Sequence, residues 1–195
     1  FQKRKSIAFV SQWRTPESVD ILKDPSILSF FNTAKKILPK LENYVIKKNL
    51  KLEILGSEWD SREKVFYNKI LKSKRWIFKN RSLKNQSYYS TDKVKFVVFV
   101  DSSLGFESLA RGNKTVSFYF LDKTIKTKKF NHFGFDFLKN KGNFWTNENT
   151  DQEFDRIISY VEKISNKQWK KENSSIINKI MQYDHGNHKF KKLLS

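Results

Sequence analysis

The sequence predicts an α/β fold: a Rossmann-like open parallel sheet of about five to six strands, with helices on both faces and the C-terminal helices packed on the sheet. Two observations lead to it. Short apolar runs rich in β-branched and aromatic residues are typical of buried parallel strands, and most of them are separated by plausible helices, as in repeated strand-helix units. The runs are SIAFVSQ (6–12), KLEILGS (51–57), RWIFKN (75–80), KFVVFVDS (95–102) and KTVSFYF (114–120).

The first helix is expected between the first two strands. Asp24 offers an N-cap and Pro25 suits the first helical position, where its missing N–H costs nothing. Residues 26–48 then carry a broken helical pattern, in which Pro39 is expected to kink or restart the helix.

Capping signals place the remaining helices. Asp60 with Glu63, and Thr150 with Glu153, each form a capping box, the second opening a helix through about residue 164. Residues 79–95 leave room for a loop and one short helix, residues 121–149 are expected to be irregular, and a last helix is expected over residues 168–183.

Length and charge set the broad class. The chain of 195 residues suits a single domain over residues 1–195, and its start at Phe1 suggests a fragment of a longer protein. The formal charge of +19 favours an anionic partner such as nucleic acid, nucleotide phosphates or acidic lipid. The alternative is a solvated basic face that reflects genome composition.

The same composition excludes several other classes. The chain has no cysteine, so it has no disulfide framework, no thiol nucleophile and no cysteine-ligated metal. No apolar run approaches the length of about 20 residues that a membrane span needs, and no signal peptide is visible. We expect a cytoplasmic location, with peripheral contact to the inner membrane through the basic face.

Polar clusters follow three of the predicted strands. Ligands of open parallel sheets bind at the carboxyl ends of the strands, so these clusters are candidates for a binding site. They are Ser11, Gln12, Trp13 and Arg14 after the first strand, Gly56, Ser57 and Glu58 after the second, and Asp101, Ser102 and Ser103 after the fourth.

The third cluster opens a predicted helix near Ser103. The free N–H groups of a helix N-terminus bind phosphate, and Ser102 and Ser103 would add hydroxyl donors. Gly105 would let a ligand approach the backbone, and Glu107 could accept hydrogen bonds from sugar hydroxyls. Gly112 is expected to end the helix.

A purely structural interpretation of this segment stays open at this point. Serine is a favoured N-cap, so Ser102 or Ser103 could serve only as the cap and Glu107 could be a solvated helix residue. The chain has neither a glycine-rich dinucleotide fingerprint nor a Walker lysine.

The segment VVFVDSSLGFESLARGNKTVSFYF (97–120) resembles the donor-binding segment of GT-B-type glycosyltransferases, especially bacterial surface-carbohydrate and capsule enzymes. The shared features are the serine pair, the glutamate-containing helix and the spacing ExxxxG. IAFVSQWR (7–14), LEILGSE (52–58) and GNFWTN (142–147) also occur in the order typical of surface polysaccharide biosynthesis proteins. The resemblance therefore extends from about residue 7 to the helix after Thr150.

This resemblance implies a nucleotide-sugar-binding domain, the C-terminal half of a two-domain enzyme. Ser102, Ser103, Leu104 and Gly105 would hold the donor phosphate, and Glu107 would bind a ribose or sugar hydroxyl. A CMP-sugar is favoured, with UDP- and GDP-sugars left open. The acceptor would be a glycan or a lipid-linked glycan.

Further residues are weaker candidates. Each could also have a purely structural role, as a turn residue, an exposed loop residue or a core aromatic. Arg14, Ser11 and Gln12 would contact phosphate, and Gly56 and Ser57 would form a second wall of the pocket. Tyr88 and Tyr89 could stack on a base, and His132 could contact phosphate or act as an acid.

The candidate residues of this chain are expected to bind the ligand. The chain's histidines and acids lack metal-site spacing, and the GT-B resemblance implies no cofactor and no metal. No nucleophile is paired with a base, so the catalytic residue is unknown, and the GT-B resemblance implies that the base lies on the other domain. The alternative function is a basic nucleic-acid-binding module, although no RNA- or DNA-binding signature is present and no specific nucleic acid is expected.

Overall fold

A computed structural model describes residues 4–18, 25–57, 60–80, 86–120, 135, 137–184, 188 and 191–192. These residues form a six-stranded, all-parallel sheet in the order β3-β2-β1-β4-β5-β6. The strands are β1 Ser6–Val10, β2 Lys51–Leu55, β3 Trp76–Lys79, β4 Val97–Phe99, β5 Thr115–Phe118 and β6 Trp145–Thr146. The helices are α1 Pro25–Lys47, α2 Ser61–Ile70, α3 Gln86–Lys93, α4 Ser103–Ala110, α5 Asp151–Lys163 and α6 Asn166–Ile180.

The predicted fold class is confirmed, and β1 to β5 each fall within a predicted apolar run. The strands nearest the centre of the sheet are buried on both faces, as parallel strands covered by helices are. In β1, residues Ile7, Ala8 and Phe9 have no exposed surface.

The last strand, β6, lies in the region expected to be irregular. Only Trp145 and Thr146 form it, which is too short for any alternation to show in the sequence. A tight turn leads into it, with the Gly142 N–H donating to the Trp145 carbonyl at 2.9 Å. A Cβ at Gly142 would lie 2.1 Å from the Trp145 ring, so this turn requires glycine.

Strand register shows that helices cover both faces of the sheet. Phe9 contacts Phe30 of α1 and Tyr67 of α2. Phe9 lies opposite Val98 in register, so the next residue, Phe99, faces the other way, where it contacts Phe106 of α4. Helices α1 and α2 therefore cover one face and α4 covers the other.

The C-terminal helices extend both layers. Phe118 faces opposite to Phe99 and stacks on Phe154 of α5 at 5.5 Å, which places α5 beside α1. Trp169 of α6 is fully buried against Phe144, just before β6.

Helix α1 corrects one prediction. It begins at Pro25 as expected, but it continues unbroken past Pro39, so no restart occurs. Proline removes one backbone hydrogen bond, and the complete burial of Leu38 and Leu41 on either side outweighs that loss. Asp24, its expected N-cap, lies outside the described residues.

The two predicted capping boxes form only in part. Thr150 accepts the Glu153 N–H as predicted, but the Glu153 carboxylate accepts from Arg156. Asp60 caps α2 by accepting from the Arg62 N–H.

The Glu63 carboxylate turns away from the helix end that it was expected to cap, and accepts the N–H of Ser57. A complete box occurs where none was predicted, between Ser165 and Gln168. This box starts the last helix at Asn166. The helix ends at Ile180, and both positions come earlier than expected.

The strand order fixes where a ligand can enter. From β1 the chain moves to β2 on one side, and from β4 it moves to β5 on the other. The loops that leave β1 and β4 therefore diverge and open a crevice at the carboxyl ends of these neighbouring strands. This is the topological switch point, where open α/β sheets bind ligands.

Candidate functional site

A cleft of about 590 Å³ occupies the switch point. Its walls come from the ends of β1, β2 and β4 and from the first turns of α3 and α4. The lining residues are Val10, Ser11, Gln12, Arg14, Gly56, Ser57, Ser87, Tyr88, Asp101, Ser102, Ser103, Leu104 and Glu107. Residues predicted from three separate segments are thus brought to one place.

The N-terminus of α4 forms the wall on the β4 side. The first backbone bond that closes this helix runs from the Phe106 N–H to the Ser102 carbonyl. The N–H groups of Ser103 and Leu104 come before it and have no carbonyl one turn earlier within the helix. Together with the helix dipole they favour an anionic group at this end of the cleft.

Ser102 does not act as the side-chain cap of α4. It occupies the N-cap position, yet its hydroxyl makes no capping hydrogen bond, although it is only 9% exposed. The cap-only interpretation that the sequence left open therefore does not apply to Ser102. Ser103, the next residue, is exposed at the cleft.

Gly105 is placed differently from the prediction. It is buried against the sheet, and a Cβ there would lie 2.2 Å from the Phe99 ring. The missing side chain therefore makes room for Phe99, and Gly105 is not part of the cleft lining. Gly112 does end α4, with φ +86°, as predicted.

Gln12 holds the two strand ends together. Its side-chain oxygen accepts the Asp101 N–H at 2.7 Å, and its side-chain nitrogen donates to the Asp101 carbonyl. This paired bond fixes the loop after β1 against the start of the β4–α4 junction. Gln12 thus shapes the cleft through the backbone.

Ser11 sits on a buried network below the cleft. Its Oγ accepts the Trp13 N–H at 3.1 Å and the Tyr67 hydroxyl at 2.5 Å. Tyr67 belongs to α2 and has no exposed surface, and burial is the main cause that raises its pKa well above the usual value.

Ser57 is tied to the same helix. Its N–H donates to the Glu63 carboxylate at 3.0 Å, and its hydroxyl donates to the Trp13 carbonyl at 2.6 Å. Glu63 is fully buried, so α2 clamps the loops after both β1 and β2. At Gly56, a Cβ would lie 2.7 Å from the Phe78 ring, so close packing on β3 explains that glycine.

Glu107 lies on the cleft wall beside Tyr88. The Glu107 carboxylate is the main cause that raises the pKa of Tyr88. The Arg111 guanidinium lies 5.5 Å from the Tyr88 ring centroid and pairs with Asp92. Tyr88, on α3, and Glu107, on α4, thus line the cleft together.

The charges in the cleft are mixed. Its described lining carries one cation, Arg14, and two acids, Asp101 and Glu107. Arg14 donates to the Trp13 carbonyl at 3.1 Å, at the rim after β1. The site therefore offers an anion-binding end at α4 and carboxylates that can accept hydrogen bonds from hydroxyl groups.

Like Gly105, Tyr89 does not line this cleft. The side chain of Tyr89 is 61% exposed, and Lys93 lies over its ring, on the side of α3 away from Glu107. His132 and Glu58 lie outside the described residues.

Among the described residues, no group of three or more histidines and acids could hold a metal ion. Nor does any helix in the described ranges have both the length and the apolar character needed to cross a membrane.

The full chain, residues 1–195, matches the model of a family described as "putative O-antigen biosynthesis protein". The chain belongs to this family. No curated protein is significantly similar to it. No solved structure is significantly similar to it either.

Three contributors to the site were missed from the sequence. Tyr67 and Glu63 lie within an amphipathic helix, where an aromatic and an acid look like core and surface residues. Ser87 lies in the polar segment between β3 and β4, and it lines the cleft. The sequence did single out Glu63, but as part of a capping box at the start of α2. Its carboxylate instead accepts the Ser57 N–H.

Proposed function

We propose that this member of the O-antigen biosynthesis family is the donor-binding domain of a GT-B-type glycosyltransferase. The phosphate of a nucleotide-sugar would bind at the N-terminus of α4, and Glu107 would accept hydrogen bonds from ribose or sugar hydroxyls. A CMP-sugar is the favoured donor. A second domain would bind the acceptor glycan and supply the catalytic base.

One observation carries the proposal: Ser102 is only 9% exposed, lines the cleft at the N-terminus of α4, and its hydroxyl makes no capping bond. A serine hydroxyl that does not cap its own helix can donate to a ligand in the cleft. Ser102 lies beside the free N–H groups of α4, so one phosphate could accept from all of them.

The mixed charge of the cleft favours a nucleotide-sugar over simpler anions. A bare phosphate would gain from α4 and Arg14 but would meet the carboxylates of Asp101 and Glu107. A nucleotide-sugar carries phosphate and hydroxyl groups on one molecule, so both kinds of wall would be used. The two acids also argue against this cleft as a nucleic-acid channel, which would be lined by cations.

Isothermal titration of the chain with CMP, CDP, UDP and GDP tests the proposal. We expect at least one nucleotide to bind, and the corresponding nucleotide-sugar to bind more tightly through Glu107. Ser103→Ala and Glu107→Ala should each weaken binding by about tenfold, as expected for a lost hydrogen bond to a charged group.

Ser174→Ala and Glu172→Gln on α6 provide matched controls, because both residues are exposed and outside the cleft lining. Neither should change the affinity. A folded chain that binds none of the nucleotides would overturn the proposal. Binding that survives both cleft substitutions would overturn the site assignment alone.

A further inference from the structure

We infer that Tyr67 is a positioning residue that fixes the Ser11 hydroxyl as a hydrogen-bond donor to an acceptor oxygen of the ligand. The inference rests on the proposed function for the identity of the ligand. Tyr67 belongs to α2 and does not line the cleft, so it acts on the ligand through Ser11.

The first step is the hydrogen-bond count at Ser11. A serine hydroxyl has two acceptor lone pairs and one proton to donate. The Trp13 N–H and the Tyr67 hydroxyl both donate to Ser11 Oγ, at 3.1 and 2.5 Å. Both lone pairs are therefore in use, and the remaining capacity of Ser11 is its own O–H.

The second step is where that O–H can go. Ser11 is 4% exposed, and the surface that it keeps lies on the cleft wall. Within the described part of the chain no acceptor receives the Ser11 proton, so this O–H is available to a group in the cleft. That group has to be an acceptor such as a phosphate oxygen, because a donor would find no free lone pair.

The third step is why the arrangement holds. Tyr67 is fully buried and edge-on to Phe66 and Phe9, so its ring cannot swing away. The Trp13 N–H is held in turn, because the Trp13 carbonyl accepts from Ser57, which Glu63 anchors. The polarity of Ser11 is thus set by residues that do not touch the ligand.

The test is a double-mutant cycle with CMP and inorganic pyrophosphate as probes, measured by titration calorimetry. Ser11→Ala should weaken pyrophosphate binding by about tenfold, the loss of one hydrogen bond to a charged acceptor. Tyr67→Phe should weaken it by about threefold, since Ser11 then regains a free lone pair and other rotamers. The double variant should bind like Ser11→Ala alone.

A merely structural role for Tyr67 predicts a different result. The two losses would then add in the double variant, and that outcome overturns the inference. Tyr160→Phe is the matched control, because its hydroxyl joins a network with Asn173 and Glu172 between α5 and α6. It should leave the affinity unchanged.

A second measurement needs no variant at Tyr67. Hydrogen bonds in a chain polarise one another, so an acceptor bound to Ser11 should strengthen the bond from Tyr67. The hydroxyl proton of Tyr67 should move downfield in the NMR spectrum when pyrophosphate is added, and this shift should vanish in Ser11→Ala. A shift that persists in Ser11→Ala would contradict the inference.

The outcomes separate the inference from the proposed function. Binding of pyrophosphate that depends on Ser11 and Tyr67, with no binding of any nucleotide, supports the inference and overturns the nucleotide-sugar proposal. Nucleotide binding in which the losses of Ser11→Ala and Tyr67→Phe add supports the nucleotide-sugar proposal and overturns the inference. If neither probe binds, both fail.

Discussion

Two serines, each at the N-cap of a helix, have different tasks in this chain. Ser165 accepts the Gln168 N–H and completes a capping box with the Gln168 side chain. Ser102 makes no such bond and leaves its hydroxyl at the cleft. The residue type and the position are the same, so only the hydrogen bonds distinguish a structural cap from a candidate ligand-binding group.

Alanine substitutions should separate these two roles. Loss of an N-cap hydroxyl usually costs about 1 kcal/mol of stability, and we expect that loss for Ser165→Ala, with unchanged nucleotide affinity. Ser102→Ala should change stability by less than about 0.5 kcal/mol but weaken nucleotide binding severalfold. Urea unfolding and calorimetry measure both quantities. Equal losses of stability in the two variants would show that Ser102 is an ordinary cap.

At the scale of elements, α4 is positioned by its contact with β4. Gly105 lets the helix approach until the Phe99 ring fills the place of a side chain. This contact sets the height of the α4 N-terminus above the sheet edge, and so the depth of the cleft.

Gly105→Ala should destabilise the fold by about 1–3 kcal/mol, the usual cost of overpacking a core. The variant should also weaken nucleotide binding, because α4 must move outward. Phe99→Leu in the same chain should recover part of the lost stability, since the smaller side chain makes room for the new methyl group. Urea midpoints of the single and double variants check this. Purely additive losses would contradict the proposed contact.

Helices α3 and α4 are joined by Asp92. Burial alone would raise the pKa of Asp92, but hydrogen bonds from Arg111 and Asn113 outweigh it, and the pKa is lowered. A carboxylate whose pKa is lowered by folding contributes stability above its unfolded pKa. That contribution is lost as the pH falls below about 4.

Asp92→Asn should therefore lower the free energy of unfolding at pH 7, and its difference from the unmodified chain should shrink as the pH falls from about 5 to 3. Urea unfolding across that range measures the difference. Asp155→Asn, at an exposed position on α5, controls for the change in net charge. A difference that stays constant with pH would contradict the role assigned to Asp92.

The elements also show what the sequence could and could not provide. The five apolar runs and the serine junction were predictable, because burial in a parallel sheet leaves continuous apolar stretches that end in polar residues. Strand β6 was not predictable, since a pair of residues carries no period and its partner β5 lies far away in the chain. The turn of Glu63 away from its own helix and the burial of Tyr67 depend on tertiary contacts, which local patterns do not contain.

At the scale of the whole molecule, the charge of +19 is not accompanied by an excess of cations in the described lining of the cleft. Its described lining contains one arginine and two acids. Among the described residues the excess of cations therefore lies outside the candidate site, and the affinity of a small nucleotide should depend only weakly on the net charge.

Salt dependence tests this separation. The logarithm of the CMP association constant should fall with the logarithm of salt concentration with a slope of at most about 2, because few cations contact the phosphate. Calorimetry between low and high salt measures the slope. A single-stranded oligonucleotide provides the comparison. Tight, steeply salt-dependent oligonucleotide binding without any CMP binding would favour the nucleic-acid alternative.

The most direct measurement of the central claim is an NMR titration of the isotope-labelled chain with CMP, UDP and GDP. Binding at the switch point predicts that the largest amide shifts occur at Ser103 and Leu104, with smaller ones at Ser11 and Gln12. Amide signals of α6 should stay unchanged. Saturable shifts confined to residues outside the cleft, or no shifts with any nucleotide, would contradict the claim.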